Sequence, residues 1–460
     1  MSYSETIRYL YSLRNEGIKF GLDNITRLLA ELDNPHESFL SVHVAGTNGK
    51  GSTSAIIASV LHAAGLRVGL FTSPHLISFT ERIQINRGEI TEHEVVHLAG
   101  EIREIVSGIS NFAPTFFEVV TAMALLYFRR NGTDIAVIET GMGGRLDATN
   151  IIVPAVSVIT NIGYDHKEFL GDTLAEIAYE KACIIKNTIP VVTSSQGKEA
   201  GDVISEKARE LHSALYICGK DFASVPKKED ISGIYFDYWD DSLVLNDLFL
   251  PLIGDHQRQN ASVAIKAIEL LSNKLLDASW AHFIREGLKN VRWPGRLELV
   301  HEDPPILIDG AHNPDAAHAL SQSLRNLFLR KYENIILVLG IMDDKDIPGV
   351  MRPLLPLASE IILTAPSYSR AASPEKLADI AASLGFHDIR TAPTLQSAID
   401  TAREIASNAQ NREWSTAERP GSLLPVAQPL PLIVITGSFY TIGEAREVLG
   451  EKGVLARLRE

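Results

Sequence analysis

Strand-like and helix-like segments alternate along nearly the whole 460-residue chain, which predicts an α/β fold on doubly wound, mostly parallel sheet. Two further features refine that prediction. Glycines cluster at Gly46, Gly49 and Gly51, between a short apolar strand and a helix. The helical pattern stops at Trp293-Pro294-Gly295, dividing the chain into a larger unit, 1–294, and a smaller Rossmann-like α/β unit, 295–460.

In chain order, residues 1–41 read as two amphipathic helices; Leu22, Ile25, Leu28, Leu29 and Leu32 keep helical spacing, and Pro35 is expected to end the second. Val42 lies in the apolar strand, and 52–65 reads as the helix after the glycines. A strand at 66–73, a polar loop, helices at 92–106 and 114–130, and strands at 134–139 and 155–160 follow. A helix is expected over 171–186, opened by the capping box Thr173 and Glu176, then a strand at 189–193. From about 215 to 253 the pattern is short, aromatic-rich and antiparallel, before a helix at 256–271. The last third predicts strands at 305–309, 335–340, 360–364 and 432–436, with helices at 314–328, 374–384 and 394–407. Residues 411–431, rich in Pro, Ser and Glu, read as a mobile insertion.

Composition narrows the class. Hydrophobic residues at 45% and charged residues at 22% are those of an ordinary globular protein. A net charge of −14 leaves no electrostatic footprint for nucleic acid. Only Cys183 and Cys218 are present, which argues against a disulfide scaffold or a cysteine zinc site. No stretch approaches 18 uninterrupted apolar residues, and residues 1–10 lack a basic segment ahead of an apolar one; no membrane partner and a cytoplasmic location are expected.

The chemistry concentrates at strand ends. Val42–Thr53 passes from strand through glycine loop to helix, the context of a phosphate-binding P-loop. Its backbone N–H groups would cradle phosphate, and Lys50 would reach the terminal phosphates. The string departs from G-x-x-x-x-G-K-[ST]: Val44 replaces the first glycine, and Gly51 separates Lys50 from Ser52. A glycine-rich turn capping a helix would show part of the same pattern. Glu139 ends a buried strand, where P-loop proteins place a carboxylate for Mg²⁺. The glycines after it, G-M-G-G-R-L-D-A-T-N, let a ligand approach the backbone. His166 follows another strand, at the sheet edge where open α/β folds bind ligands. Lys181 lies within a helix and could be a solvated lysine. Asp309 and His312 end the first strand of the second unit, with Asn313 as N-cap and Pro314 at the first helical position. We expect them to be nucleotide contacts.

These strings together resemble one group of ATP-dependent amide ligases within the Mur family, the folylpolyglutamate and dihydrofolate synthases. The similarity runs nearly end to end through G-T-N-G-K-G-S-T, T-S-P-H-L, G-M-G-G-R-L-D-A-T-N, D-H-K-E-F-L-G, E-K-A-C-I-I-K, W-P-G-R-L-E and D-G-A-H-N-P-D. The resemblance implies that Thr47, Asn48, Gly49, Lys50, Gly51 and Ser52 hold the ATP phosphates. It assigns Mg²⁺ to Ser73, Glu139 and His166, and further ATP contacts to Asn260, Arg296 and Asp309, with His312 beside them. Lys181 matches a lysine that is carbamylated to an anion. Thr115, Phe116, Phe117 and Glu118, with Leu146, Asp147 and Ala148, match folate-binding segments of enzymes that also accept dihydropteroate. Retention of R-L-D-A leans toward both activities, and the Asp147 carboxylate is expected to accept pterin N–H groups. Cys183 stands where the family usually has glycine.

The implied reaction joins L-glutamate to dihydropteroate or a reduced folate through an acyl phosphate, with Lys50, Lys181 and His166 as catalytic groups and a monomer as the working unit. The alternatives are a synthase with the polyglutamating activity alone, a cell-wall Mur ligase, or a P-loop switch that does not ligate. About a hundred extra residues before the P-loop mark the cell-wall enzymes by the same resemblance, and this chain has only some 40 there.

Overall fold

The computed structural model describes residues 1–13, 21–275, 280–416 and 430–450. Eight strands form the first sheet: β1 (Leu40–Ala45), β2 (Val68–Phe71), β3 (Ile83–Ile85), β4 (Gly88–Glu89), β5 (Ile135–Glu139), β6 (Val156–Ile159), β7 (Val191–Thr193) and β8 (Leu215–Ile217). Their order is β4-β3-β2-β5-β1-β6-β7-β8. The six strands from β2 to β8 in that order are parallel, and β3 and β4 form an antiparallel edge.

Both faces of this sheet are covered, as a parallel sheet requires. Along β5, Ile135 and Val137 pack into one core and Ala136 and Ile138 into the other. Helices Lys50–Ala63, Asp255–Leu275 and Trp280–Asn290 lie on the first side. Helices Tyr3–Ser12, Asp23–Glu31, Glu92–Gly108 and Phe116–Arg130 lie on the second. A separate antiparallel sheet of β9 (Phe222–Asp230), β10 (Gly233–Asp240) and β11 (Val244–Leu250) buries Ile234, Phe236 and Tyr238 against the first core.

The second main sheet contains β12 (Glu298–Glu302), β13 (Pro305–Ile308), β14 (Ile335–Leu339), β15 (Glu360–Leu363), β16 (Arg390–Thr391) and β17 (Leu432–Thr436), in the order β12-β13-β17-β14-β15-β16. Only β12 runs antiparallel to its neighbour. This is an α/β architecture in two parts, a large parallel-rich sheet and a separate mixed one.

Several expectations need correction. The helix expected over 171–186 spans only Leu174–Ala182; a separate short helix, Lys167–Leu170, precedes it, and Gly171, at a φ of +107°, separates the two. Thr173 and Glu176 do form the capping box that opens the longer one. The helix before Pro35 ends at Glu31, since Asp33 and Asn34 turn left-handed ahead of the proline. Residues 215–217 pair parallel with β7 and are not part of the antiparallel piece. Helix Leu395–Thr416 extends into the expected insertion, of which residues 417–429 lie outside the described residues. Helix Lys198–Glu210 was not anticipated; its buried stripe is only Ala200, Ile204 and Ala208 on an otherwise polar sequence.

Candidate active site

The glycine loop lies between β1 and helix Lys50–Ala63, with β5 and β6 on either side of β1. Strands on both sides of β1 send their C-terminal ends to this one edge, which is where open α/β sheets bind ligands. Gly49 opens the helix in a left-handed conformation, φ +92°, and a Cβ there would collide with Asn260. Thr47 Oγ1 donates to the carbonyl of Gly163 at 3.0 Å, tying the loop to the segment after β6. Lys50 Nζ donates to the carbonyls of Gly46 and Thr47 at 3.1 and 3.2 Å, folded back over its own loop.

Above this edge lies a cavity of about 610 Å³ whose walls come from both main sheets and their loops. Of the expected phosphate group, Thr47, Asn48, Gly49, Lys50 and Gly51 line it, and Ser52 does not. Ser52 is instead buried in the first helical turn. Ser73, Glu139, His166 and Lys181 line it from the first part, and Arg296 and His312 from the second. Asn260 and Asp309 do not. Asn260 packs against Gly49, and the Asp309 carboxylate accepts from the N–H groups of Leu297 and Ala311 at 3.0 and 2.9 Å. Both shape the loops that carry Gly49 and Arg296.

Burial raises Glu139 to about 7, although Lys50, the N–H of Ser73, Arg296 and Arg82 act against it. Its one hydrogen bond among the described residues is from Ser73 N, at 3.1 Å. His166 keeps 40% of its side chain exposed at the cavity wall; desolvation there, helped by the charges of Lys345 and Lys50, depresses it to about 4. Burial also lowers Lys181 to about 7, reinforced by the charge of Lys50. Its Nζ donates to Gly46 O at 2.9 Å, beneath the glycine loop. Arg296 is half-buried, and no ion pair closes on it among the described residues; its Cζ lies 4.5 Å from the centroid of the Phe439 ring.

No group of three or more His, Cys, Asp or Glu side chains among the described residues forms a metal cage. Ser73, Glu139 and His166 nevertheless suit Mg²⁺. That ion takes few protein ligands when phosphate oxygens and water complete its shell. An under-satisfied buried carboxylate, a neutral imidazole and a hydroxyl are acceptable donors.

The folate-matching segments line another wall of the cavity. Thr115 and Glu118 form a reciprocal capping box at the start of helix Phe116–Arg130. Phe116 packs against Tyr11, with ring centroids 5.5 Å apart, and Arg82 lies over its face. Phe117 packs so closely on Gly141 that a Cβ there would not fit. Leu146, Asp147 and Ala148 reach the cavity from the loop after β5. The expectation for Asp147 needs revision. Its oxygens already accept from Met142 N at 2.8 Å, Thr149 N at 3.0 Å and the Thr149 hydroxyl at 2.6 Å. His43 on β1 lies 2.8 Å from that hydroxyl and extends the chain into the core. The Asp147 carboxylate fixes its loop and is not free for pterin N–H groups.

Sequence reasoning did not single out Asp165 or Lys345, and read Asn313 only as a cap. Asp165 Oδ1 meets Lys345 Nζ at 2.7 Å, and Oδ2 lies 3.4 Å from His312 Nε2. Burial works to raise this carboxyl, but the His312 hydrogen bond and the charges of His312, His166 and Lys345 hold it well below the usual range. Asp165 stood inside D-H-K-E-F-L-G. Lys345, in D-D-K-D, carries no local signal that separates it from a solvated charge.

Comparison with known proteins agrees with this geometry. The Mur ligase middle domain model matches residues 44–268, and the Mur ligase glutamate ligase domain model matches 295–411. The dihydrofolate synthase/folylpolyglutamate synthase of Bacillus subtilis is 35% identical, over 97% of this chain and 99% of that protein. The structure of Mycobacterium tuberculosis folylpolyglutamate synthase complexed with ADP has a TM-score of 0.89 at 33% identity, covering 98% of this chain and 100% of that one. A solved FPGS–AMPPCP–folate complex has a TM-score of 0.82 at 33% identity, with the same coverage. A P-loop edge, a cavity walled by two sheets and matches of this length place the chain in the Mur ligase family, with the dihydrofolate synthases and folylpolyglutamate synthases.

Proposed function

We propose that this cavity activates a folate carboxylate with ATP and passes it to L-glutamate, each step served by the residues described above. The chain is an ATP-dependent amide ligase that adds glutamate to folates. The observation that carries the assignment of roles is convergence. Lys50, Glu139, His166 and Lys181 from the first part share one cavity with Arg296 and His312 from the second.

The ATP phosphates rest on Thr47–Gly51, where inward N–H groups and a helix N-terminus favour anions. Lys50 leaves its own carbonyls and neutralises charge on the transferring phosphoryl group. A substrate carboxylate oxygen attacks the γ-phosphorus, the bond to ADP breaks, and an acyl phosphate forms. The amine of glutamate then adds to the acyl carbon, phosphate leaves, and an amide remains. Arg296, which closes no ion pair among the described residues, faces the negative charge that develops. Ser73, Glu139 and His166 would hold Mg²⁺, which supplies charge neutralisation at the phosphates. Lys181 is poised for carbamylation: an amine that titrates near 7 is partly neutral, and its nitrogen can bond to CO₂ and release a proton to give an anion.

We further assign both activities, on dihydropteroate and on reduced folates; R-L-D-A at the cavity wall supports this. A division into an ATP- and folate-binding domain, 1–294, and a ligase domain, 295–460, accords with the two main sheets. No helix among the described residues is long and apolar enough to cross a membrane. We place the enzyme in the cytoplasm as a monomer, with no nucleic-acid partner. The test is purified protein with MgATP, glutamate and either dihydropteroate or a reduced folate, products read by mass. Glutamate-dependent amide product supports the assignment. ADP release indifferent to glutamate would instead indicate a nucleotide switch.

A further inference from the structure

Building on the ligase reading above, we propose that Asp165 and Lys345 are positioning residues whose ion pair latches the second part of the molecule over the acyl phosphate. Asp165 lies in the loop after β6, beside the glycine loop, and Lys345 in the turn after β14. They are 180 residues apart in sequence, yet Nζ and Oδ1 are 2.7 Å apart, with the side chains only 12% and 9% exposed. At that exposure a charge-assisted hydrogen bond is screened far less than a surface pair.

A second contact crosses the same junction. Asn48, in the glycine loop, donates to Asn313 Oδ1 at 3.2 Å and accepts from Asn313 Nδ2 at 3.0 Å. Asn313 Nδ2 also lies 3.4 Å from Asp165 Oδ2, while Asn313 Oδ1 caps the helix Pro314–Asn326. The junction is tight: a Cβ on Gly163 would strike the carboxylate of Asp315 in that helix. The loop that grips phosphate is thus joined to the other part through side chains that satisfy one another. Asp165 and Lys345 line the same cavity as Arg296 and Lys50, but they close an ion pair with each other across the junction at its edge, whereas among the described residues no carboxylate pairs with Arg296 or Lys50.

Closure matters because of a competing reaction. Water can add to the acyl carbon of the intermediate, breaking its bond to phosphate and returning the carboxylate, inorganic phosphate and a proton. Each such event consumes ATP and makes no amide. A latch that excludes water until the glutamate amine has added keeps ADP and amide in step.

The experiment counts ADP and amide in one reaction of the full-length enzyme with saturating glutamate. Lys345→Met removes the charge while keeping the length of the side chain, Lys345→Gln keeps a donor without the charge, and Lys345→Arg keeps the charge. Lys376→Met is the control: it removes a neighbouring pair with Asp343 whose side chains are 49% and 52% exposed. The wild type is expected to release about one ADP per amide, and the ratio should rise to roughly ten ADP per amide in Lys345→Met and Lys345→Gln as hydrolysis overtakes ligation. Lys345→Arg should stay near wild type, and Lys376→Met should match it. A wild-type ratio in either uncharged variant, even with slowed turnover, would overturn the latch and leave the ligase reading standing. A wild type that releases ADP without amide would sink the ligase reading and the latch with it.

Discussion

On the phosphate side of the cavity, Glu139 and Lys181 are buried and Lys50 and Arg296 half-buried, and among the described residues no side chain of opposite charge closes an ion pair with any of them. On the folate side, Thr115, Glu118 and Asp147 are equally buried or nearly so, yet their polar atoms are taken up by helix caps and loop hydrogen bonds. Both walls contain carboxylates at strand or helix ends, so residue type alone does not separate them. What separates them is whether the hydrogen-bonding capacity is already spent. An unspent buried charge is costly unless a ligand arrives to meet it, and that marks the reacting side. A spent one fixes the shape of a wall, here faced by Phe116, Phe117 and Leu146.

Breaking the unspent side should have the largest effect. Lys50→Ala is expected to leave the melting temperature unchanged and reduce ligation by roughly 10²–10³, the worth of one positioned charge in phosphoryl transfer. Near-normal turnover would show that this loop does not serve the phosphates. Glu139→Gln and His166→Ala come next. Each should raise the Mg²⁺ concentration needed for half-maximal activity by about 10- to 100-fold, with folate binding unchanged by calorimetry. Superimposable Mg²⁺ titrations would remove these residues from the metal site.

The spent side should respond through structure. Asp147→Ala removes the acceptor for three hydrogen bonds, so a stability loss of about 1.5–3 kcal/mol is expected. Turnover with dihydropteroate and with a reduced folate should fall together, since the loop serves both. A large loss with dihydropteroate alone, at unchanged stability, would restore a direct pterin contact. Glu118→Gln is smaller: weakening one capping box should cost about 1 kcal/mol, seen as a modest drop in melting temperature.

Lys181 gives the comparison a pH axis. Its folded value is depressed from 10.5 to about 7, so between those limits the unfolded chain binds more protons and stability rises with pH. The neutral amine is lost as pH falls through 7. Incorporation of labelled bicarbonate at Lys181, followed by NMR, should be strong above that pH and fade below it. A pH-independent signal would contradict the depressed amine.

The phosphate side was legible because its signals are local. Gly46 through Ser52 lie in one strand–loop–helix, and Glu139 ends an apolar strand whose burial can be read from Ile135 to Ile138. The parallel sheet followed from alternation. The junction was not legible, because Asp165 and Lys345 meet only once both sheets are folded, and neither has a periodic or capping signature. Asn260 and Asp309 show the converse: family pattern points at the right neighbourhood, but geometry gives them the task of shaping loops. Helix Lys198–Glu210 escaped because three small or medium residues make too thin an apolar stripe.

The central claim is that this cavity activates a carboxylate by transferring phosphate to it. The most direct measurement uses a reduced folate labelled with heavy oxygen in its reacting carboxylate, with MgATP and glutamate, and follows the label by mass spectrometry. Passage through an acyl phosphate predicts one labelled oxygen in the inorganic phosphate for each amide formed. Amide formation with unlabelled phosphate would contradict the account.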